Sequence, residues 1–166
     1  MRFRKAKKSD IKRIQELASL GLELSAERIN ELYSEEKLVV LLKKKLSFVL
    51  VEKKEIMGFI GGSPDKENNI VVWVDLLVIE PKFQRKGVGT KIMNFFENEL
   101  KERGFGQIVL FTETLNTEAL QFYKKIGYLE VGRMDFLPPL IRIFFKKVIN
   151  PEIVAKESKK FEGAVV

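Results

Sequence analysis

The chain has 166 residues, and its 30 lysines and arginines against 23 aspartates and glutamates give a formal net charge of +7. It contains no cysteine and no histidine. These absences exclude disulfides, thiolate metal ligands, a cysteine nucleophile and the commonest general base. Any acid–base chemistry must therefore use carboxylates, tyrosine, lysine or water, and we expect no metal site.

The length suits one domain, and the 45% hydrophobic content is typical of a globular protein. No apolar run approaches the ~20 residues that span a bilayer, and the charged start "MRFRKAKKSD" is unlike a secretory signal peptide. We therefore expect a cytoplasmic protein without a membrane segment. The positive charge fits a solvated surface or an anionic ligand, and the basic clusters alone do not indicate nucleic-acid binding.

In chain order, hydrophobic periodicity predicts a short strand at Arg2–Ala6 and a helical stripe from Ile11 to Gly21. Two more helices are predicted in "SAERINELY" and "SEEKLVVLLKKK", because each begins with a serine cap and carries acidic residues in its first turn. The segments "SFVLVEKK" and "EIMGFIGGS" are typical of a strand hairpin. After the polar loop "PDKENN", the long strand Ile70–Ile79 is apolar on both faces and is expected to be central in a sheet.

The second half of the chain predicts a helix at Val88–Arg103, a buried strand "QIVLFT" and a short helix "NTEALQFYKKIG" that ends at Gly127. The strands "YLEVGRMDF" and "LIRIFFKKV" follow. This order favours an α/β or α+β sheet with helices on both faces. We expect one domain at residues 1–150, whereas residues 151–166 form a tail whose periodicity is too weak to assign.

The stretch "QRKGVGT" lies between the long strand and the following helix. The first amides of a helix are unpaired and its dipole is positive there, so an anion can bind. Gly87 and Gly89 would allow close approach of a ligand, although such a turn can also serve only to pack helix against strand. The dinucleotide fingerprint fails because Ile92 occupies the third glycine position, and no nucleotide-triphosphate loop is present.

The segment "LLVIEPKFQRKGVGTKIMNFFENEL" resembles the acetyl-coenzyme A motif of the GNAT superfamily of N-acetyltransferases. Its matching positions are Leu77, Ile79, Pro81, Gln84, Gly87 and Gly89. A second block, "NTEALQFYKKIGY", matches the family at Asn116, Ala119, Tyr123, Gly127 and Tyr128. The resemblance implies a GNAT-like central sheet of about seven strands, mixed but mostly antiparallel, flanked by helices.

The resemblance also implies acetyl-CoA as co-substrate. Backbone amides in the glycine turn would hold its pyrophosphate, and main-chain groups at the end of the preceding strand would pair with the pantetheine arm. The cofactor-binding residues implied in this way are Leu77, Val78, Ile79, Gln84, Arg85, Lys86, Gly87, Val88, Gly89, Thr90, Asn116 and Tyr123. Asn116 has a second interpretation as the cap of the helix that follows it.

Two side chains are candidates for proton transfer. Tyr123 matches the family's general acid, which would protonate the leaving sulfur, although it could also be a core aromatic. Asp75 is the candidate base because a charge inside an apolar strand is costly unless it is paired or functional. A structural, salt-bridged Asp75 is the alternative.

The implied activity is acetyl transfer from acetyl-CoA to a primary amine, such as a protein N-terminus, a lysine or a small amine. Trp73 and Phe111 occupy positions where two groups of protein-modifying relatives carry glutamate. The sequence therefore departs from both patterns and does not identify the acceptor. We expect the acceptor pocket to be built from Ser25–Lys45 and the Phe136–Leu140 turn, in a monomer or homodimer. The alternatives are a CoA-binding sensor or scaffold domain without catalysis, and a basic nucleic-acid-binding module.

Overall fold

The structure is a computed structural model that describes residues 1–137 and 140–160, without the side chains of residues 136 and 137. Within these residues, seven strands form one sheet in the order β1-β2-β3-β4-β5-β7-β6. The strands are β1 (Arg2–Lys5), β2 (Ser47–Glu52), β3 (Glu55–Pro64), β4 (Val71–Ile79), β5 (Gln107–Glu113), β6 (Leu129–Leu137) and β7 (Leu140–Val148). The α-helices are α1 (Ile11–Gly21), α2 (Ala26–Leu32), α3 (Glu35–Lys43), α4 (Val88–Glu102), α5 (Thr117–Lys125) and α6 (Pro151–Ser158).

The sheet is mixed and mostly antiparallel, as predicted. β4 pairs with β5 in parallel from Val71↔Gln107 to Trp73↔Val109, and α4 is the crossover between them. The pairs β1–β2, β2–β3, β5–β7 and β6–β7 are antiparallel. The predicted fold class is therefore confirmed.

The chain divides into two compact units, of which the first contains Met1–Ser63 and Val74–Phe96. Its core lies between the sheet and the first three helices. The members of this cluster include Ile14, Leu17, Leu38, Leu41, Val49, Val51, Phe59, Leu76 and Val78. On the opposite face, Phe48 meets the rings of Phe95 and Phe96, and Phe3 stacks on Phe95 at a centroid distance of 4.0 Å. Alternation along β2 therefore lets helices cover both faces of the sheet in this unit.

The predicted hairpin of β2 and β3 closes through Lys53 and Lys54. Both residues have positive φ, 47° and 71°. A two-residue hairpin turn of this kind matches the twist of the strands but is usually made by asparagine and glycine. The lysines adopt it because the register of the two apolar strands leaves only these two residues to reverse the chain.

The second unit contains Pro64–Trp73 and the chain from Glu97 onward. Here α6 occupies part of the segment that the sequence left unassigned. The methyl groups of Val154 and Ile153 lie so close to Gly106 that a Cβ there would be 2.9 and 3.3 Å from them. The amides of Ile149 and Asn150 also donate to the carbonyl of Gly106. Residues 161–166 of the predicted tail lie outside the described residues.

None of the described helices combines the length and the apolar character needed to cross a membrane.

Candidate active site

The end of β4 leads directly into the glycine turn. A short 3-10 turn, Pro81–Phe83, follows the strand, and α4 begins at Val88. The side-chain amide of Gln84 donates to the carbonyl of Ile79 at 3.0 Å, which ties the turn to the strand that precedes it. Gln84 therefore has a structural role in fixing the loop at the sheet edge.

The backbone of the turn leaves helix amides without partners in the helix. The amide of Lys91 donates to the carbonyl of Gly87 at 3.1 Å, which closes the first turn of α4. The amides of Val88, Gly89 and Thr90 precede that bond, so the helix itself supplies no acceptor for them. Together with the helix dipole, they make this end of α4 receptive to an anion.

Two residues of the turn have left-handed backbone conformations, Arg85 with φ 58° and Gly87 with φ 75°. A Cβ on Gly87 would meet no atom within 4 Å, so backbone conformation rather than crowding within the protein accounts for this glycine. Arg85, Lys86 and Gly87 are all exposed. The turn therefore presents an open, basic surface beside the helix amides.

One face of β4 is more open than the sequence indicated. Val72, Leu76 and Val78 are buried, whereas Trp73 is half-buried and Asp75 is exposed. β4 is the fourth of seven strands, as expected for a central strand, and the side that carries Trp73 and Asp75 is only partly buried. The parallel pairing with β5 covers residues 71–73, and β4 itself continues to Ile79.

The carboxylate of Asp75 is held by a hydroxyl. Ser63 donates its Oγ–H to Asp75 Oδ2, and Lys44 Nζ donates to Ser63 Oγ at 2.8 Å. Partial burial of the carboxyl group raises the pKa of Asp75 above its ordinary value, although the residue as a whole is exposed, while the Ser63 hydrogen bond and the charge of Lys44 oppose that rise. Asp75 is therefore linked to Lys44 through Ser63. The alternative interpretation of Asp75 as a structural residue assumed a direct salt bridge instead.

A cavity of about 260 Å³ opens beside Asp75 in the first unit. Apolar side chains of α2, α3 and β4 form most of its wall. The lining includes Leu32, Tyr33, Lys37, Leu38, Leu41, Lys44, Ser63, Asp75 and Leu76. The helices of residues 25–45 thus line a cavity, and its use by the acceptor stays a prediction. The other predicted part of the acceptor pocket, the Phe136–Leu140 turn, falls largely outside the described residues.

Tyr123 lies on α5 in the second unit and is only 8% exposed. Its ring contacts those of Phe122, Tyr128 and Phe145 at centroid distances of 5.2, 5.7 and 6.0 Å. Burial raises the pKa of its phenol well above the ordinary value, so the hydroxyl keeps its proton at neutral pH. Tyr123 has the ring contacts of a core aromatic together with a phenol that is protonated at neutral pH.

Asn116 is the N-cap of α5, since its Oδ1 accepts a hydrogen bond from the amide of Ala119 at 3.1 Å. This bears out the capping interpretation; contact with a cofactor stays a prediction. Trp73 donates its indole N–H to Asp65 Oδ2 at 2.8 Å, and both Trp73 and Phe111 contact the ring of Phe144. These two aromatic residues therefore have structural partners.

Sequence reasoning missed Ser63 and did not single out Lys44. A serine in "GGSP" at the end of a strand carries no chemical signature of its own. The signal that could have found it is topological: β3 and β4 are consecutive in the chain and adjacent in the sheet, so a hydroxyl near the end of β3 can lie beside a carboxylate in the middle of β4. Prediction of the contact made by Lys44 would have required the position of α3 relative to the sheet, which the local sequence does not give.

Comparisons with known proteins agree with this fold. The acetyltransferase (GNAT) family model matches residues 11–128. The "Probable N-acetyltransferase 14" of Xenopus tropicalis is 28% identical over 107 residues, which are 64% of this chain and 52% of that protein. The structure of Ard1 from Thermoplasma volcanium superposes with a TM-score of 0.77 at 21% identity, covering 89% of this chain and 96% of the other.

A second structure, an aminoglycoside 6'-N-acetyltransferase complexed with coenzyme A, gives a TM-score of 0.74 at 22% identity over 91% of this chain and 98% of that one. At these identities the structural matches show the fold. The chain spans about half the length of the curated relative from Xenopus tropicalis. Because the family model covers most of the sequence, including the glycine turn and α5, the chain belongs to the acetyltransferase (GNAT) family.

Proposed function

We propose that the chain transfers an acetyl group from acetyl-CoA to a primary amine on a protein N-terminus, a lysine or a small molecule. The observation that carries the proposal is the glycine turn that joins β4 to α4, where unpaired helix amides lie beside exposed basic residues. Family membership and the coenzyme A complex of a protein of the same fold support it.

The pyrophosphate of coenzyme A would bind at the amides of residues 85–90. A diphosphate group suits this position because several N–H donors and the positive helix end act on it together. Lys86 and Arg85 would add positive potential. The main chain of residues 77–79 would pair with the amides of the pantetheine arm, as an added strand does.

Asp75 would act as the base. The acceptor amine arrives as an ammonium ion, gives one proton to the carboxylate of Asp75, directly or through water, and becomes nucleophilic. Its nitrogen then attacks the thioester carbonyl carbon, the carbon–sulfur bond breaks, and the nitrogen loses its second proton to give the amide, which balances the proton that the sulfur takes up. The cavity beside Asp75 would hold the acceptor, and proximity of amine and thioester would supply much of the rate.

Tyr123 would act as the acid. The departing sulfur gains a negative charge, and a phenol that remains protonated at neutral pH can donate a hydrogen bond or its proton to it. Asn116 would help to fix the loop beneath the cofactor, with its capping bond to α5 setting the start of that helix.

Release of free coenzyme A from acetyl-CoA with a panel of amines tests the activity. We expect turnover with at least one amine, and about a 10²-fold lower kcat for Tyr123→Phe with coenzyme A binding retained. The matched control is Tyr128→Phe, which also loses one phenol hydroxyl, in this case the donor to Glu97 Oε1 at 3.1 Å. The control should lose stability while its kcat stays near that of the unmodified protein.

Two results would contradict parts of this proposal, the first its catalytic activity and the second the role of Tyr123. Coenzyme A binding without turnover on any amine would favour the sensor or scaffold function. Full kcat in Tyr123→Phe would leave the enzyme assignment intact but remove Tyr123 as the acid.

A further inference from the structure

Three polar side chains form a continuous hydrogen-bonded chain along one wall of the cavity in the first unit. Lys44 caps the end of α3, Ser63 lies near the end of β3, and Asp75 lies on β4. Lys44 Nζ lies 2.8 Å from Ser63 Oγ, and the same Oγ donates to Asp75 Oδ2. Ser63 is only 7% exposed, so the hydroxyl at the centre of this chain is buried, whereas Lys44 and Asp75 are exposed residues.

The direction of the chain is fixed by its chemistry. An ammonium group has donors only, so Lys44 must donate to Ser63. The serine hydroxyl has one proton, and with its oxygen accepting from Lys44 that proton points to Asp75. Both bonds involve a charged partner, and such bonds are roughly twice as strong as neutral ones. The arrangement stabilises ionised Asp75 and leaves its second carboxylate oxygen, Oδ1, outside this chain.

We propose that Lys44 and Ser63 are positioning residues that orient Asp75 and hold it deprotonated, so that its Oδ1 can accept a proton from the acceptor's ammonium group. This inference rests on the proposed function. In the step itself one N–H bond of the ammonium breaks and one O–H bond forms on Asp75, while the nitrogen keeps the electron pair. Lys44 and Ser63 exchange no proton.

The other lysine in the cavity wall does not share this role. Lys37 lines the same cavity, but its ammonium donates to the backbone carbonyl of Glu31. Among the described lining residues, Lys44 is the cation whose charge lowers the pKa of Asp75 against the effect of burial.

The direct test is to measure the pKa of Asp75 by NMR. The 13Cγ resonance of Asp75 is recorded against pH in protein labelled at aspartate, and it is assigned by its absence from the spectrum of Asp75→Asn. We expect Lys44→Met and Ser63→Ala each to raise the pKa of Asp75 by about half a pH unit or more. The matched control is Lys43→Met, which removes the same charge from the same helix end at an exposed position outside the cavity. An unchanged titration in both variants would overturn the proposal.

The second test is the pH dependence of kcat/KM for the best amine. In Lys44→Met the acid limb should move to higher pH while the plateau above it is retained, because Asp75 is fully ionised there. Lys44→Arg and Ser63→Thr keep the donor groups, so their acid limb should lie at the same pH as in the unmodified protein. A merely structural defect would instead lower kcat/KM at every pH.

The two readouts separate the possible failures. If no amine is acetylated, the proposed function fails, while the titration of Asp75 still decides whether the hydrogen-bonded chain controls its ionisation. If the titration moves but the acid limb does not, Asp75 is not the base, and the positioning role for catalysis is overturned.

Discussion

Two aspartates of this chain have carboxyl groups whose pKa values are displaced in opposite directions. Burial raises the pKa of Asp75. The pKa of Asp65 is lowered, first by the indole hydrogen bond of Trp73 and then by the amides of Asn68 and Glu67. Since pKa displacement and folding stability are linked, the two residues should affect the free energy of unfolding with opposite signs.

Replacement of each aspartate by asparagine tests these signs. For Asp75 the folded protein binds its proton more tightly than the unfolded chain does. Its ionisation therefore costs stability as pH rises through and above the ordinary value of 3.8. Asp75→Asn should be more stable than the unmodified protein at pH 7, and the gain should disappear below that value. Solvent screening at this exposed position keeps the gain below about 1 kcal/mol.

The opposite behaviour is expected for Asp65→Asn. Its ionised form is favoured in the folded state, so the variant should lose stability at pH 7, and the loss should shrink as pH falls through the lowered pKa. Urea unfolding of both variants from pH 3 to pH 7, roughly the span over which carboxyl groups titrate, measures both slopes. A loss of stability at pH 7 in Asp75→Asn would contradict the raised pKa that burial gives Asp75.

At the scale of elements, α4 has a left-handed glycine near each end. Gly87 has φ 75° and Gly104 has φ 84°, and a Cβ on either would meet no atom within 4 Å. A larger residue at either position therefore suffers the same backbone strain, about 1–2 kcal/mol, without a clash inside the protein. Only Gly87 lies in the turn where we propose that the pyrophosphate binds.

Gly87→Val and Gly104→Val consequently form a matched pair. Both should lower the midpoint of thermal unfolding by similar amounts. Only Gly87→Val should also lose the stabilisation by coenzyme A, because its side chain would project beside the helix amides where we propose that the pyrophosphate binds. Thermal unfolding of the two variants with and without coenzyme A gives the comparison. Equal stabilisation of both by the ligand would remove the pyrophosphate from this turn.

The elements differ in how far the sequence could predict them. Elements with a strong apolar pattern, such as β4 and α4, were predicted within a residue or two, because burial selects a continuous apolar run in a central strand and an apolar stripe in a helix. α6 was not, because none of its residues is fully buried and its apolar positions therefore form no clear stripe. The turn at Lys53 and Lys54 was predicted from strand lengths alone, since lysine carries no signal for positive φ.

The candidate site shows the same division. Its glycine turn was predictable because the left-handed backbone conformation at Gly87 restricts the residue type directly. The support around Asp75 was not, because Lys44 and Ser63 are brought to it by the packing of α3 and β3, and nothing in their local sequence marks them. Local constraints can be read from one segment, whereas contacts made by tertiary packing cannot.

At the scale of the whole molecule, the net charge of +7 should assist binding of a polyanion such as coenzyme A. A ligand that binds only the folded protein stabilises it by about 2.7 kcal/mol at a concentration 100 times its Kd. For a domain of this size, that corresponds to a rise of roughly 5–10 °C in the unfolding midpoint.

Salt should reduce this stabilisation without removing it. The general attraction of a positive protein is screened as the Debye length falls from about 10 Å at 0.1 M to about 3 Å at 1 M salt. Hydrogen bonds from the helix amides act at contact distance and are screened much less. Thermal unfolding in 0.1 and 1 M KCl, with pantetheine as the control that lacks the phosphates, separates the two contributions. We expect a moderate decrease with salt for coenzyme A and little for pantetheine. Complete loss at 1 M would assign the binding to net charge alone, in contradiction to a pyrophosphate held by the turn before α4.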